Sequence, residues 1–271
     1  MLILEYNSYR KITQKIFYRW IKTIAVSFVG LFYQIAIPAT LPPPAVNQLP
    51  TGAKVASGVV NFSQTQTPTS ASLNITQSSN NAIINWGTFN LGAKANVNFI
   101  QPNQSSAVLN RVLDSNPSQI YGNISSNGQV FFTNPNGIYF GPSASVSVGS
   151  FLATSSSILD KDFLSRNLVF SQNGSSGSII NDGKISVNSL QGYAALLAPS
   201  VSNRGVITAQ LTGTVMLGAG ESYQLQFDSS NGLLNNIIVS PSTLAALVEN
   251  SQLIQAPNGV IVMTAQAASS L

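Results

Sequence analysis

The 271-residue chain has no cysteine and no histidine, and charged side chains make up only 7% of it. Without cysteine there is no disulfide framework, no thiolate metal site and no thiol nucleophile. Without histidine, the commonest metal ligand and neutral-pH proton shuttle is missing, and Ser-His-Asp or Cys-His catalysis is excluded. Soluble domains usually carry about 25% charge; here Gly, Ser, Asn, Thr and Gln take that share. At 44% the apolar fraction is too high for a disordered chain. The combination suits stacked strands with neutral polar outer faces. The charge that remains is uneven. Arg10, Lys11, Lys15, Arg19 and Lys22 are five of the twelve basic residues, and Glu5 is the only acid before residue 40. From Thr40 onward seven basic and seven acidic residues cancel, so a nucleic-acid partner has no electrostatic footprint.

The basic segment leads into Thr23–Ile37, a charge-free apolar run of 15 residues, then Pro38, Ala39 and Pro42-Pro43-Pro44. A membrane span needs about 20 residues, and the triple proline stops any continuation. Residues 1–45 are therefore expected to be an extended, helical signal peptide, cut near Ala39 or Ala45. Residues 46–271 are expected to form the exported domain, continuing into or truncated from a longer stalk, or else an unusually short member of its kind.

That domain is centred on Asn134-Pro135-Asn136-Gly137-Ile138. Pro135 presets φ for a turn, and Gly137 or Asn136 can take positive φ at low cost. Val130–Phe132 before the turn and Ile138–Phe140 after it read as strands, and Val146 and Val148 alternate with serine and glycine in the next one. Upstream, Val55, Val59-Val60 and Phe62 suggest an initial strand pair. Gln64–Ser70 reads as a loop, and Leu73–Gln77, Val97–Ile100 and Ala107–Leu113 read as strands. Trp86 and Phe89 suit core filling over a first coil. Asn181-Asp-Gly-Lys-Ile185 recurs as Asn203-Arg-Gly-Val-Ile207 at a spacing of 22 residues. Pro257–Val260 echoes Pro135–Ile138. Such a period indicates a solenoid, with room for about ten coils and a rod of about 50 Å. Ile158–Phe170, with Asp160, Lys161, Asp162 and Arg166, is expected to be a solvated loop or short helix leaving the coil. Ser242 is a plausible N-cap for a short helix over Pro241–Glu249.

The ordered series INWGTFNLG (84–92), VNFIQP (97–102), LNRV (109–112), NPSQIYG (116–122), NGQVFFTNPNGIYFG (127–141) and SVGSFLATS (147–155) resembles the secretion domain of two-partner secretion exoproteins, the filamentous-haemagglutinin-type haemagglutination activity domain. The resemblance is dense over residues 46–165. It implies an all-β, single-stranded right-handed parallel β-helix with an N-terminal cap and small extra-helical β elements. It also implies recognition by an outer-membrane transporter carrying periplasmic polypeptide-transport domains. The family's Asn-Pro-Asn-Gly-Ile motif maps onto Asn134, Pro135, Asn136, Gly137 and Ile138, and its Asn-Arg-Val element onto Asn110, Arg111 and Val112. An Asn-Pro-Asn-Leu motif of many members has no match, Gln101-Pro102-Asn103-Gln104 being nearest.

A pectate-lyase-like enzyme would need clustered acids along a groove. The acids after residue 40 are scattered, only Asp160 and Asp162 lying close in sequence, and no Asp-rich calcium loop is present. Arg111 reads as a structural side chain bonding backbone carbonyls at a coil edge. The reading is a non-enzymatic, cofactor-free and metal-free secretion-directing head of a large adhesin, released or held on the surface of a Gram-negative-type bacterium. Alternatives with the same fold are contact-dependent inhibition and a haemolysin or haem-binding exoprotein. Further expected partners are receptors or glycans on host or neighbouring cells. Whether Asn134–Ile138 serves recognition or folding stays open at this level.

Overall fold

The computed structural model describes residues 42–227, 234–241 and 246–267. Residues 1–41, which hold the signal-peptide segment up to the triple proline, lie outside the described residues. The described chain is almost entirely strand and winds as a parallel β-solenoid with three faces. Each coil contributes one strand to each face in turn. Ala95–Ile100, Ala107–Val112 and Ser118–Ile120 are one such set, followed by Asn123–Ser126, Gln129–Thr133 and Ile138–Phe140.

Period-2 alternation on the first face explains why its strands stack without slipping. Leu73, Val97, Ile124, Val146, Ile185, Ile207 and Ile254 are successive register partners, forming one inward apolar column. A one-residue slip in any coil would turn that column to solvent. Outward partners on the same strands are Asn74, Asn98, Ser125, Ser147, Ser186, Thr208 and Gln255, the neutral polar face that the composition requires. The first-face sheet has eight strands, one of them antiparallel, leaving seven parallel rungs. At a parallel-strand spacing of ~4.8 Å the rod is about 30 Å long. That is shorter than the ten coils expected, because two segments leave the coil and use chain without adding rungs.

Both excursions depart from the second face. Its strands are apolar on both sides: Val108, Val130, Phe151, Ala194 and Val215 point into the solenoid, while Leu109, Phe131, Leu152, Ala195 and Met216 point outward. This explains continuous runs such as Tyr193–Leu197, as expected for strands covered on both faces. The outer side is covered by a short helix, Asp160–Leu164, and by a three-stranded antiparallel sheet of Val169–Ser171, Ser222–Phe227 and Leu234–Ser240. The Ile158–Phe170 segment is a short helix leaving the coil, as expected, but it is solvated on its outer side only. Ile158, Phe163, Leu168 and Phe170 are buried, and Phe163 meets Phe131 edge to face at 5.3 Å. Its charges sit on the outer side of a second hydrophobic core.

Two further expectations are corrected. Leu247–Asn250 is a strand, paired in register with Ser200–Asn203, and not the end of a helix; residues 242–245 of that segment lie outside the described residues. Pro257–Val260 does not occupy the same corner as Pro135–Ile138. It leads into the second face, where Gly259 stacks so closely on Gly213 that a Cβ would lie 1.8 Å from the Gly213 carbonyl oxygen. The 22-residue repeat is structural: Asn181 pairs with Asn203, and Asn203 with Asn250. Their carboxamides form a ladder, buried at Asn181 and Asn203 and exposed at Asn250, with Asn181 Nδ2 to Asn203 Oδ1 at 2.7 Å and Asn203 Nδ2 to Asn250 Oδ1 at 2.6 Å.

At the N-terminal end, Lys54–Ser57 and Val60–Gln66 are both strands but do not pair with each other. The first runs antiparallel to Asn81–Trp86 and the second antiparallel to Ala71–Gln77. Phe62 reaches Trp86 edge to face at 6.0 Å.

Candidate functional site

Both motif elements singled out in the sequence fall on neighbouring coils. Asn110 pairs in register with Phe132, and Arg111 with Thr133, one residue before Asn134. Alternation points Asn110 inward, Arg111 outward and Val112 inward. Asn110 interrupts an otherwise apolar column, between Ile84 and Phe132, and is fully buried. Burying a carboxamide there is tolerable only if it is bonded. It is: Trp86 Nε1 donates to Asn110 Oδ1 at 3.0 Å, and Asn110 Nδ2 donates to the Phe131 carbonyl at 3.2 Å. Trp86, Phe89 and Phe132 then stack edge to face, at 5.2 and 4.6 Å. Asn110 thus fixes the indole that fills the first coil.

Arg111 lies on the other side of the sheet. Its guanidinium donates to Asp160 Oδ1 at 2.6 Å, the Ile158 carbonyl at 3.0 Å and Asn85 Oδ1 at 3.3 Å. It ties the first excursion to the solenoid wall. The expectation of carbonyl bonding holds for Ile158; the ion pair with Asp160 was not legible, because the two residues are 49 apart.

Asn134–Ile138 forms the corner from the second to the third face. Gly137 N donates to the Asn134 carbonyl at 2.9 Å, closing the turn, and Gly137 takes φ of 103°. The buried Asn134 side chain accepts from Asn136 N at 3.0 Å and donates to the Asn116 carbonyl at 3.1 Å and Ser118 Oγ at 3.0 Å. Asn136 is exposed, yet its Nδ2 reaches the Asp114 carbonyl at 2.8 Å. These bonds bind the turn to the coil before it. The Pro135 carbonyl accepts from Gly177 N and Ser175 Oγ, and Ile138 N donates to the Ser178 carbonyl at 3.0 Å, binding it to the returning excursion. Ile138 itself is core. The turn clamps three successive levels of the stack. Asp114, Asn116, Ser118 and Ser175 complete it; their only sequence signal is the turn-forming Asp-Ser-Asn-Pro run before Ser118.

The third face carries a separate polar cluster. Tyr139 Oη donates to Asp182 Oδ2 at 2.7 Å, and Arg204 grips both oxygens of Asp182, at 2.7 and 2.9 Å. Burial pushes the Tyr139 phenol up, and its bond to Asp182 pushes it further, so it remains a donor. Burial alone would raise Asp182, but the bonds from Arg204 and Tyr139 outweigh it and hold the carboxyl below the usual range. Stability from a depressed carboxyl is present above its unfolded pKa of about 4 and is lost as pH falls through the folded value. Asp182→Asn is therefore expected to lower the melting temperature at pH 7 and to leave a flatter acid limb than the parent. Thermal melts by circular dichroism from pH 7 to pH 2 would check this, and parallel acid limbs would contradict it.

A three-faced solenoid with corner motifs held by bonds between coils, and second-face outer residues covered by a helix and a small sheet, defines a β-helix-like domain. The TPS secretion domain model matches residues 48–271, and the chain belongs to that family. Two heme/hemopexin-binding proteins are similar to it. One, from Haemophilus influenzae strain Rd, is 29% identical over 220 residues, covering 78% of this chain and 23% of that protein. The other, from Haemophilus influenzae, is 39% identical over 101 residues, covering 37% of this chain and 11% of that protein. The chain thus spans less than a quarter of the length of these curated relatives. The crystal structure of the HMW1 secretion domain from Haemophilus influenzae superposes with a TM-score of 0.68 at 31% identity, over 79% of this chain and 57% of that one. Two-partner secretion domains are recognised by an outer-membrane transporter, and their exoproteins leave Gram-negative cells across the outer membrane.

Proposed function

We propose that this chain is the secretion-directing head of a larger surface or released adhesin, made with a signal peptide over residues 1–45 and exported through the periplasm. The solenoid winds right-handed, in keeping with the strong preference for right-handed parallel crossovers. Lys54–Ser57 and Val60–Gln66 act as its N-terminal cap. The role is non-enzymatic. Asn110–Val112 and Asn134–Ile138 serve folding first: they close coils as the chain emerges, and the transporter depends on that closure.

The observation that carries the recognition step is the Val60–Gln66 strand. Among the described residues it ends its sheet and pairs on one side only, and all its residues after Val60 are exposed. A strand edge of this kind offers unpaired backbone donors and acceptors to a partner sheet, so the transporter's periplasmic domains engage it by β-augmentation. Lysine at both Asn61 and Ser63 places charge on this edge. The double variant is expected to keep its β-type circular dichroism and to be secreted several-fold less. Secretion at the parental level from a folded double variant would rule out this edge as the docking strand.

A second reading is a haem-binding exoprotein, favoured by the names of the two curated relatives. Receptors or glycans on host or neighbouring cells are the partners proposed for the adhesin.

A further inference from the structure

Five Asn-Gly pairs occur in the sequence, and four of them, at Asn127, Asn136, Asn173 and Asn258, lie among the described residues. All four asparagines are exposed, but the glycines after them differ. Gly128 N donates to Ser126 Oγ at 3.1 Å, Gly137 N to the Asn134 carbonyl at 2.9 Å and Gly259 N to the Ala256 carbonyl at 3.0 Å. These three are also tightly packed: a Cβ would lie 2.6, 2.5 and 1.8 Å from the nearest oxygen, respectively. Gly174 departs on both counts. Among the described residues its N–H has no hydrogen-bond partner, and a Cβ there would meet nothing within 4 Å. Asn173 and Gly174 are both left-handed, at φ 47° and 81°, in the loop that returns the first excursion to the coil.

An asparagine carboxamide can be attacked by the backbone nitrogen of the residue that follows. That nitrogen gives up its proton and bonds to Cγ, the Cγ–Nδ2 bond breaks, and ammonia leaves carrying the proton. Water then adds to either carbonyl of the cyclic imide and opens it. The product is aspartate, or isoaspartate with the main chain rerouted through Cγ; in sum the amide and one water become an acid and ammonia. The attack needs a free nitrogen, no side chain on the following residue and room for the peptide to turn onto Cγ. A bonded, packed N–H must first open locally, so its rate falls with the open fraction. Gly174 alone of the four meets these needs as folded.

We propose that Asn173 is a self-modification site, where the chain's own Gly174 nitrogen and water convert the carboxamide to an acid, and that the conversion loosens the Asn134–Ile138 corner. This is independent of the secretion role. Farther along the same loop, Ser175 Oγ and Gly177 N donate to the Pro135 carbonyl, and the Ser178 carbonyl accepts from Ile138 N. Isoaspartate lengthens the backbone of that loop and removes the Asn173 Nδ2 that donates to Ser157 Oγ at 2.7 Å.

The purified chain is aged in mildly acidic and mildly alkaline buffer, and each Asn-Gly peptide is mapped by mass spectrometry with electron-transfer fragmentation, which separates aspartate from isoaspartate. Asn173 is expected to convert at least about tenfold faster than Asn127, Asn136 and Asn258. Its rate is expected to rise in alkali, because the attacking nitrogen must lose its proton. The Gly177 and Ile138 amides of the aged chain are expected to exchange hydrogen faster than those of the fresh chain. Asn173→Gly accepts the left-handed backbone and has no Cγ, so it is expected to exchange alike fresh and aged. The fifth pair, Asn231-Gly232, lies outside the described residues and is present in both chains, so the comparison removes its contribution. An intact Asn173 after alkaline ageing, or conversion of any of the other three described pairs as fast, would overturn the proposed site. Unchanged exchange at Gly177 and Ile138 in a converted chain would overturn its coupling to the corner.

Discussion

Gly137→Ala is expected to lower the melting temperature by roughly 6–12 °C and to cut the secreted yield steeply. Gly137 sits at φ 103°, and a Cβ there would lie 2.5 Å from the Ser178 carbonyl oxygen. That carbonyl cannot simply retreat, because it accepts the Ile138 N–H that starts the third-face strand. Backbone strain and displaced packing together are worth ~3 kcal/mol, at about 2–4 °C per kcal/mol for a domain of this size. Asn136→Ala makes the contrast within the same turn. It removes one exposed carboxamide bond to the Asp114 carbonyl and leaves the turn closed, so a loss of about 1 kcal/mol is expected. Thermal melts of the two variants check the difference. Equal melting temperatures would show that the corner tolerates a side chain and is not the tight junction described.

Asn110→Ala is expected to destabilise by about 3 kcal/mol, and Asn110→Leu not to rescue it. Both leave the Trp86 indole N–H buried without its acceptor and remove the donor to the Phe131 carbonyl. An unsatisfied buried group costs ~1–3 kcal/mol, which exceeds the gain from a leucine matching the Ile84 and Phe132 of its column. The readout is specific: loss of near-ultraviolet tryptophan ellipticity, with far-ultraviolet β signal kept at low temperature. A fully stable Asn110→Leu variant would mean that the bond to Trp86 contributes nothing.

Much of the solenoid was legible because its register is written in period 2. Leu73, Val97, Val146 and Ile185 alternate with polar residues, and only one face of their strands is buried. The 22-residue repeat around Asn181 and Asn203 was legible for the same reason, since stacked corners need the same turn residues. The excursions were not. Phe163 packs on Phe131 and Phe170 joins the same buried cluster, contacts between chain segments that no local pattern encodes, so four nearby charges suggested solvent for the whole segment. Leu247-Val248 was read as helix because a short apolar run cannot be assigned by periodicity alone. Pairing of Val248 with Val201 in the ladder decides it. Within the candidate site, the turn at Asn134–Ile138 and the positive φ at Gly137 followed from residue types. The partners Asp114, Asn116, Ser118 and Ser175 come from the coil below and the loop returning from outside, and stacking alone brings them within bonding distance.

The most direct test is secretion of the tagged full-length chain from a Gram-negative host, with and without the transporter of its family. The chain is expected in the medium only when the transporter is present, and in the periplasm otherwise. Equal amounts in the medium under both conditions, or a folded chain retained in the periplasm under both, would contradict a secretion-directing role for this domain.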